Sequence, residues 1–296
     1  MEVVIAGAGS IGLLIGSYLA ESGWKVTYFV RRPEQAELIR QQGIRRINGH
    51  DSTIIGEIGA ETDIRNLSKE VLWIIAVKSG GVTSLVQTLI DEDMESPILF
   101  VQNGFSHFEM VSDTTLPVLF FATIEHGATR IDDRTVSHNG IGMMKIAPYR
   151  GNAGALVLMK QSASSSFPIE VVKDAKSILF RKVLINCMIN PLTAILQIRN
   201  GELLENTYAK KLFYELYEEI MNVFPEMRSD LPISAVEEVC FKTRNNESSM
   251  LKDRLLGKPM EIDTIVTALL RMADERGKNM PLMKILENVL RAMNRS

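Results

Sequence analysis

The first half of the chain alternates short apolar, β-branched runs with longer amphipathic stretches, the pattern of a parallel sheet layered with helices. Strands are expected over residues 2–6, 25–30, 71–77, 98–101, 118–122 and 143–147, with helices over 12–22, 33–42 and 83–90. The run Val71-Leu72-Trp73-Ile74-Ile75-Ala76-Val77 is apolar on both faces, so helices should cover both sides of it. The texture changes at Gln161-Ser162-Ala163-Ser164-Ser165-Ser166, which reads as a loop. Beyond about Val171 the strand pattern fades, and apolar residues recur at three and four spacing over 176–197, 209–222, 233–242 and 261–277. The expected fold is α/β: a Rossmann-type doubly wound parallel sheet in residues 1–165 and an all-helical domain in 166–296. Six or more mostly parallel strands should precede about residue 165, with almost none after it.

A length of 296 residues suits two domains, each with its own core. A hydrophobic share of 46% and a charged share of 23% are ordinary for a soluble globular chain. The formal net charge of -3 gives no electrostatic reason to expect nucleic acid, although a local basic pocket stays open. Cys187 and Cys240 lie in apolar helical context without CxxC or metal-like spacing, so both read as reduced, buried thiols and no metal site is expected. The first twenty residues are apolar but lack a basic start, and Gly7, Gly9 and Gly12 interrupt them. No signal peptide or membrane span is expected, and the chain reads as cytoplasmic.

The first strand runs straight into Gly7-Ala8-Gly9-Ser10-Ile11-Gly12 and then a helix. In a dinucleotide site Gly7 permits the tight turn, Gly9 lets the backbone approach a pyrophosphate, and Gly12 lets helix and strand pack closely; the helix N-terminus supplies free N–H groups. A glycine-rich turn that binds nothing is the alternative. An NAD-preferring site usually carries an acid at the end of the second strand, but here the chain reads Val30-Arg31-Arg32-Pro33. Two guanidiniums suit a 2′-phosphate, so NADP is expected, unless both are solvated surface arginines. Lys78 ends the third strand and Asn103 follows the fourth, where open α/β sheets bind ligands. A snorkelling lysine and a plain Asn-Gly turn are the respective alternatives.

In the second half, Lys182, Asn186 and Asn190 are spaced i, i+4, i+8 and project as one polar stripe on a helix. Their neighbours are nearly all apolar, so the stripe is expected to be buried and to need polar partners, which a bound ligand would supply. Pro191 should kink or end this helix near Asn190. Farther on, Ser248 or Ser249 reads equally as a helix N-cap or a ligand group, and Glu261 as a first-turn acid or a site residue.

Taken together these blocks resemble the 2-dehydropantoate 2-reductases, or ketopantoate reductases, along the whole chain. The likeness rests on the glycine motif, Val77-Lys78, Gln102-Asn103-Gly104, Glu125-His126-Gly127-Ala128, Lys182 through Ala194, Asn200-Gly201-Glu202-Leu203, Ser248-Ser249-Met250-Leu251 and Glu261-Ile262-Asp263. It implies NADPH-dependent reduction of 2-dehydropantoate to (R)-pantoate, a step toward pantothenate and coenzyme A. By resemblance, Lys182 is the general acid, and Asn186, Asn190, Asn200 and Ser249 are substrate ligands. Asn103 contacts cofactor and substrate, Glu261 holds the nicotinamide end, and Lys78, Arg31 and Ala128 contact the cofactor. Many relatives carry glutamine three residues after the strand-end lysine, whereas this chain has Gly81. The chemistry suits the residue types: a lysine beside a ketone oxygen can stabilise developing charge and donate a proton. The partner is then a small molecule, and the chain acts as a monomer or homodimer. A reductase of another 2-oxo acid and a non-catalytic NADP-binding regulator are the rival readings; the polar stripe argues against the regulator.

Overall fold

In the computed structural model, which describes residues 1–293, the apolar runs of the first half lie side by side in one eight-stranded sheet. In chain order the strands are β1 (Glu2–Ala6), β2 (Lys25–Phe29), β3 (Ile44–Asn48), β4 (Asp51–Ile55), β5 (Gly59–Glu61) and β6 (Leu72–Ile75). They continue with β7 (Ile98–Phe100), β8 (Leu119–Ile124), β9 (Gly127–Arg130), β10 (Thr135–Gly140), β11 (Met144–Arg150) and β12 (Ile169–Val171). The large sheet runs β12-β11-β8-β7-β6-β1-β2-β5, parallel throughout except where β11 meets β8. All six expected strands are present with ends displaced by a few residues, and β12 extends the sheet past residue 165.

The order reverses at β1 and β6: one half grows outward through β2, the other through β7 and β8. Segments leaving those two strands at their carboxyl ends therefore flank the place where such sheets take ligands. β6 is buried along its whole length, and Trp73, Phe100, Phe120 and Phe121 are fully buried around it. Helices α1 (Ser10–Glu21), α2 (Pro33–Gln42), α3 (Val82–Asp91), α4 (Ser106–Ser112) and α5 (Gly154–Gln161) connect the strands. α2 begins on Pro33, whose fixed φ suits a first helical position, and stops at Gly43 with φ 64°.

A second sheet, β4-β3-β10-β9, packs over α1 through β3, β9 and β10. The sequence pattern does not announce it. Its strands are short and polar: β3 carries Arg45 and Arg46, β4 is largely exposed, and β10 reads Thr135-Val136-Ser137-His138-Asn139-Gly140. Such strands have no apolar alternation to betray them.

By their contacts the residues fall into two units, Met1–Gln102 with His107–Leu179, and Asn103–Ser106 with the chain from Phe180 onward. The described residues of the second unit form helices and no strand: α6 (Ala175–Leu196, begun in the first unit), α7 (Glu202–Glu205), α8 (Thr207–Val223), α9 (Ile233–Lys242), α10 (Ser249–Leu255), a π-helical turn (Asp263–Thr267), α11 (Ala268–Glu275) and α12 (Pro281–Met293). The Asn206 side chain caps α8 by accepting from the N–H groups of Tyr208 and Ala209 at 3.0 Å each. Phe213, Leu216, Ile220 and Met221 on one face of α8 are fully buried.

Of the two outcomes expected at Pro191, a kink or an end, the end does not occur: α6 continues to Leu196. Proline removes a single backbone bond, and the surrounding burial of Met188 through Ala194 outweighs that loss. The Thr193 hydroxyl also donates to the carbonyls of Ile189 and Asn190, at 2.9 and 3.1 Å. α6 is long and apolar enough to cross a membrane by length and composition, yet 61% of its most apolar window is buried inside the protein, as in a core helix.

Candidate active site

The loop between β1 and α1 is shaped by contacts that only glycine permits at two positions. Gly7 has φ 108°, and a Cβ there would sit 2.9 Å from the backbone of Ala76 and Val77. The loop therefore lies directly on the segment leaving β6. A Cβ on Gly12 would fall 1.9 Å from the Gly7 carbonyl oxygen. One turn along the same face, Gly16 makes room for the Tyr28 ring of β2, whose hydroxyl donates to the Gly12 carbonyl at 3.1 Å. Burial holds that phenol well above the ordinary tyrosine value, so it stays protonated.

Gly9 is different: the nearest atom to a Cβ there is the Ala76 carbonyl oxygen at 4.0 Å. Its φ of -84° is open to any residue, and it caps α1 without a side-chain hydrogen bond. The fold leaves an open face at Gly9 and an N-terminus with unused N–H groups, with Ala8 buried and Ser10 and Ile11 half-buried behind it. That is the cradle a dinucleotide pyrophosphate fits.

At the end of β2 the two arginines separate. Arg32 pairs with Asp133 in the turn between β9 and β10, while exposed Arg31 has no hydrogen-bond or ion-pair partner among the described residues. Of the two guanidiniums expected there, Arg31 is left open and Arg32 is engaged by Asp133. Lys78, exposed, opens a tight turn over Ser79–Gly81, and the Gly81 N–H donates to its carbonyl at 2.8 Å. A Cβ at Gly81 would make only ordinary contact with Val77, so the fold does not demand glycine there. Sequence reasoning missed Gln102. Its amide nitrogen donates to the carbonyls of Ile75 and Val77 at 2.7 and 3.1 Å, tying the ends of β6 and β7 together just ahead of Lys78.

Ala128 of β9 pairs with His138 of β10, and beneath that pair runs a buried polar chain. Nδ1 of His126 lies 3.2 Å from the Gly142 nitrogen and 3.0 Å from Nε2 of His138, and Nδ1 of His138 is hydrogen-bonded to the Tyr18 hydroxyl of α1 at 2.8 Å. Arg46 stacks 3.8 Å above the Tyr18 ring and donates to Ser17 and Glu21. The chain fastens the Ala128 strand onto the helix that carries the glycine loop. Both histidines were visible in sequence, but nothing local marked them as partners.

Both are held neutral. Burial, then His138, pushes His126 down to about 4; burial, then the Arg46 guanidinium, lowers His138. The unfolded chain therefore binds more protons, so their stabilising contribution is intact above about pH 6.5 and is lost as pH falls toward 4. Melting curves should show the wild-type Tm falling between pH 6.5 and 4.5 by several degrees more than in a His126→Asn, His138→Asn double variant. Parallel curves would contradict the assignment.

In the helical unit, Asn190 on α6 is 5% exposed, as expected of the stripe, whereas Lys182 and Asn186 are only half-buried. Asn190 Nδ2 lies 3.5 Å from Ser249 Oγ, which brings together two expected site residues from distant segments. The ambiguity between the two serines resolves. Ser248 caps α10 by accepting from the Leu251 N–H at 3.1 Å and bonds Thr193 at 2.8 Å, while the exposed Ser249 faces Asn190.

Glu261, half-buried, stands just ahead of the π-helical turn; the expected helix from 261 onward is π-helical before α11 begins. Such turns often mark functional positions. The Cys187 thiol, one residue after Asn186, donates to the Ile265 carbonyl of this turn at 3.3 Å, and burial raises the thiol far above its usual range. Gly104, with φ 88°, packs so closely that a Cβ would lie 2.5 Å from the Thr264 carbonyl. Half-buried Asn103 precedes it. The Asn103 loop, α6, α10 and the π-turn are thereby joined. The Asn200 amide nitrogen donates to Thr243 Oγ1 at 2.9 Å and its backbone N–H to the Asn246 carbonyl at 3.1 Å, while its Oδ1 is buried with no hydrogen-bond partner among the described residues. Among the described residues no group of three or more His, Cys, Asp or Glu side chains is placed to hold a metal.

The ketopantoate reductase PanE/ApbA model matches residues 3–151, and the model for the C-terminal part of that family matches residues 174–294. A 2-dehydropantoate 2-reductase of Listeria innocua is 34% identical, over 99% of this chain and 97% of that protein. The crystal structure of a probable 2-dehydropantoate 2-reductase from Bacillus subtilis is 31% identical with a TM-score of 0.90, covering 99% of this chain and 100% of that one. A D-mandelate dehydrogenase solved with NADH and anilino(oxo)acetate shares the fold, at a TM-score of 0.84 and 20% identity over 99% of this chain and 98% of that one. With both halves matched and relatives aligned end to end, the chain belongs to the ketopantoate reductase family of oxidoreductases.

Proposed function

We propose that the chain reduces 2-dehydropantoate to (R)-pantoate with NADPH. The observation that carries this reading is the meeting of Asn190 and Ser249 on the α6 face that also bears Lys182 and Asn186. The names of the aligned relatives support the choice of substrate. When bound, NADPH supplies the hydride for the C2 carbonyl carbon.

The glycine loop and the α1 N-terminus hold the pyrophosphate, Arg31 the 2′-phosphate, and Lys78 and the Ala128 backbone further parts of the cofactor. Asn103 contacts cofactor and substrate, and Glu261 orders the nicotinamide end. In the helical unit Asn186, Asn190 and Ser249 hold the substrate's carboxylate and hydroxyl through neutral groups, which avoids burying further charge. Lys182 donates a proton to the C2 oxygen as charge develops there. Asn200 joins the three as a substrate ligand: its Oδ1 is buried without a partner among the described residues, while its amide nitrogen holds the neighbouring loop. The enzyme works in the cytoplasm as a monomer or homodimer.

The test is NADPH oxidation by the purified chain against a panel of 2-oxo acids. A pocket shaped for one branched acid discriminates against a substrate one methylene different by about 10–200-fold. The value of kcat/KM should therefore be greatest for 2-dehydropantoate by at least roughly tenfold. A larger value for another 2-oxo acid would reassign the substrate.

A further inference from the structure

At the end of β2 one carboxylate gathers the basic side chains. Asp133 pairs with Arg32, and Arg130 Nη1 stands 3.9 Å from the same oxygen. This carboxylate does not simply follow Arg32. The turn that carries it is fixed by Asp132, whose Oδ1 accepts from the N–H groups of Arg134 and Thr135 at 2.9 and 2.7 Å. It is also fixed by Gln35, 6% exposed, whose amide nitrogen donates to the Asp133 carbonyl at 2.8 Å and reaches the Ala8 carbonyl at 3.4 Å. Gln35 thus ties the turn to the glycine loop, so Asp133 belongs to the neighbourhood of the cofactor loop and Arg31 rather than to a remote surface.

We propose that Asp133 is a specificity-setting residue: it holds Arg32 in an ion pair that a 2′-phosphate beside Arg31 must share or displace, and so moderates the preference for NADPH over NADH. This rests on the reading that Arg31 receives the 2′-phosphate. A carboxylate at this corner does two things to a phosphate of charge about -1.5 to -2. It repels the phosphate directly, and it occupies the guanidinium that could clamp it. NADH, with a neutral ribose hydroxyl there, feels neither effect. Arg32 and Asp133 are 52% and 31% exposed, so exchange of partners needs no unpacking.

The experiment is direct titration of NADPH and NADH, by nucleotide fluorescence, into wild type, Asp133→Asn, Arg31→Ala and an Arg32→Ala, Asp133→Asn double variant. Asp133→Asn should bind NADPH more tightly by roughly three- to tenfold, the scale of an exposed ion pair plus one removed like charge. Its affinity for NADH should stay as in wild type, and the double variant should lose the gain. An unchanged NADPH affinity in Asp133→Asn, or an equal change for both cofactors, would overturn the proposal and leave Asp133 as a turn anchor only. If wild type binds both cofactors equally and Arg31→Ala changes neither, the 2′-phosphate reading itself falls and takes this proposal with it. A wild-type preference erased by Arg31→Ala but indifferent to Asp133→Asn removes this proposal alone.

Discussion

Replacing Lys182 with alanine should lower turnover on 2-dehydropantoate by about 10²–10⁴-fold, the usual worth of a positioned general acid. NADPH affinity should be nearly unchanged, because the glycine loop, Arg31 and Lys78 all lie in the other unit. The lysine is half-buried one helical turn from Asn186 and two from Asn190, whose amide already meets Ser249. A proton donor carried on that stripe acts on whatever those amides hold. Its loss should therefore appear in kcat more than in KM. Far-UV circular dichroism should stay at the wild-type signal, since the lysine is not fully buried. A folded Lys182→Ala with near-wild-type turnover would show that the proton comes from elsewhere, and Lys78 becomes the next candidate.

The second large effect separates two glycines of one motif. Glycine to alanine inside a helix normally stabilises by roughly 0.5–1 kcal/mol. At Gly12 the sign should reverse, because the new Cβ would lie 1.9 Å from the Gly7 carbonyl, a backbone atom that cannot swing aside. Gly12→Ala should lower Tm and abolish NADPH binding together. At Gly9 the nearest atom among the described residues, its chain neighbours aside, lies 4.0 Å from such a Cβ, so Gly9→Ala should melt close to wild type. Its NADPH affinity should nevertheless fall by about two orders of magnitude, roughly 3 kcal/mol, because the added methyl occupies the space reserved for the pyrophosphate. Unaltered NADPH binding in Gly9→Ala would mean that the open face at Gly9 is not the cofactor's.

The two variants also mark what could be read from the chain alone. The glycine motif, six of the eight strands of the main sheet and the Lys182 stripe are local patterns, spelled out by period and spacing. What escaped depends on partners far away in sequence. Arg32 looks like Arg31 until Asp133, 101 positions later, claims it. Ser248 and Ser249 are equivalent on paper, and only the Leu251 N–H and Thr193 decide that Ser248 is the cap. The β9–β10 sheet stayed hidden because its strands are polar, and with it the Tyr18–His138–His126 chain. At Pro191 the local rule allowed a helix end, which the buried environment overrode. The π-turn after Glu261 has no sequence signature at all; it is recognisable only through the Cys187 and Gly104 contacts that pack it.

The central claim is that this chain moves a hydride from NADPH to the C2 ketone of 2-dehydropantoate. Its most direct test is incubation of the purified protein with 2-dehydropantoate and NADPH deuterated at the transferring C4 position, followed by mass spectrometry and NMR of the product. The account predicts pantoate of the R configuration carrying one deuterium at C2, formed in step with the fall in NADPH absorbance. Consumption of NADPH without deuterium at C2, or no consumption by a protein that demonstrably binds both ligands, would contradict it.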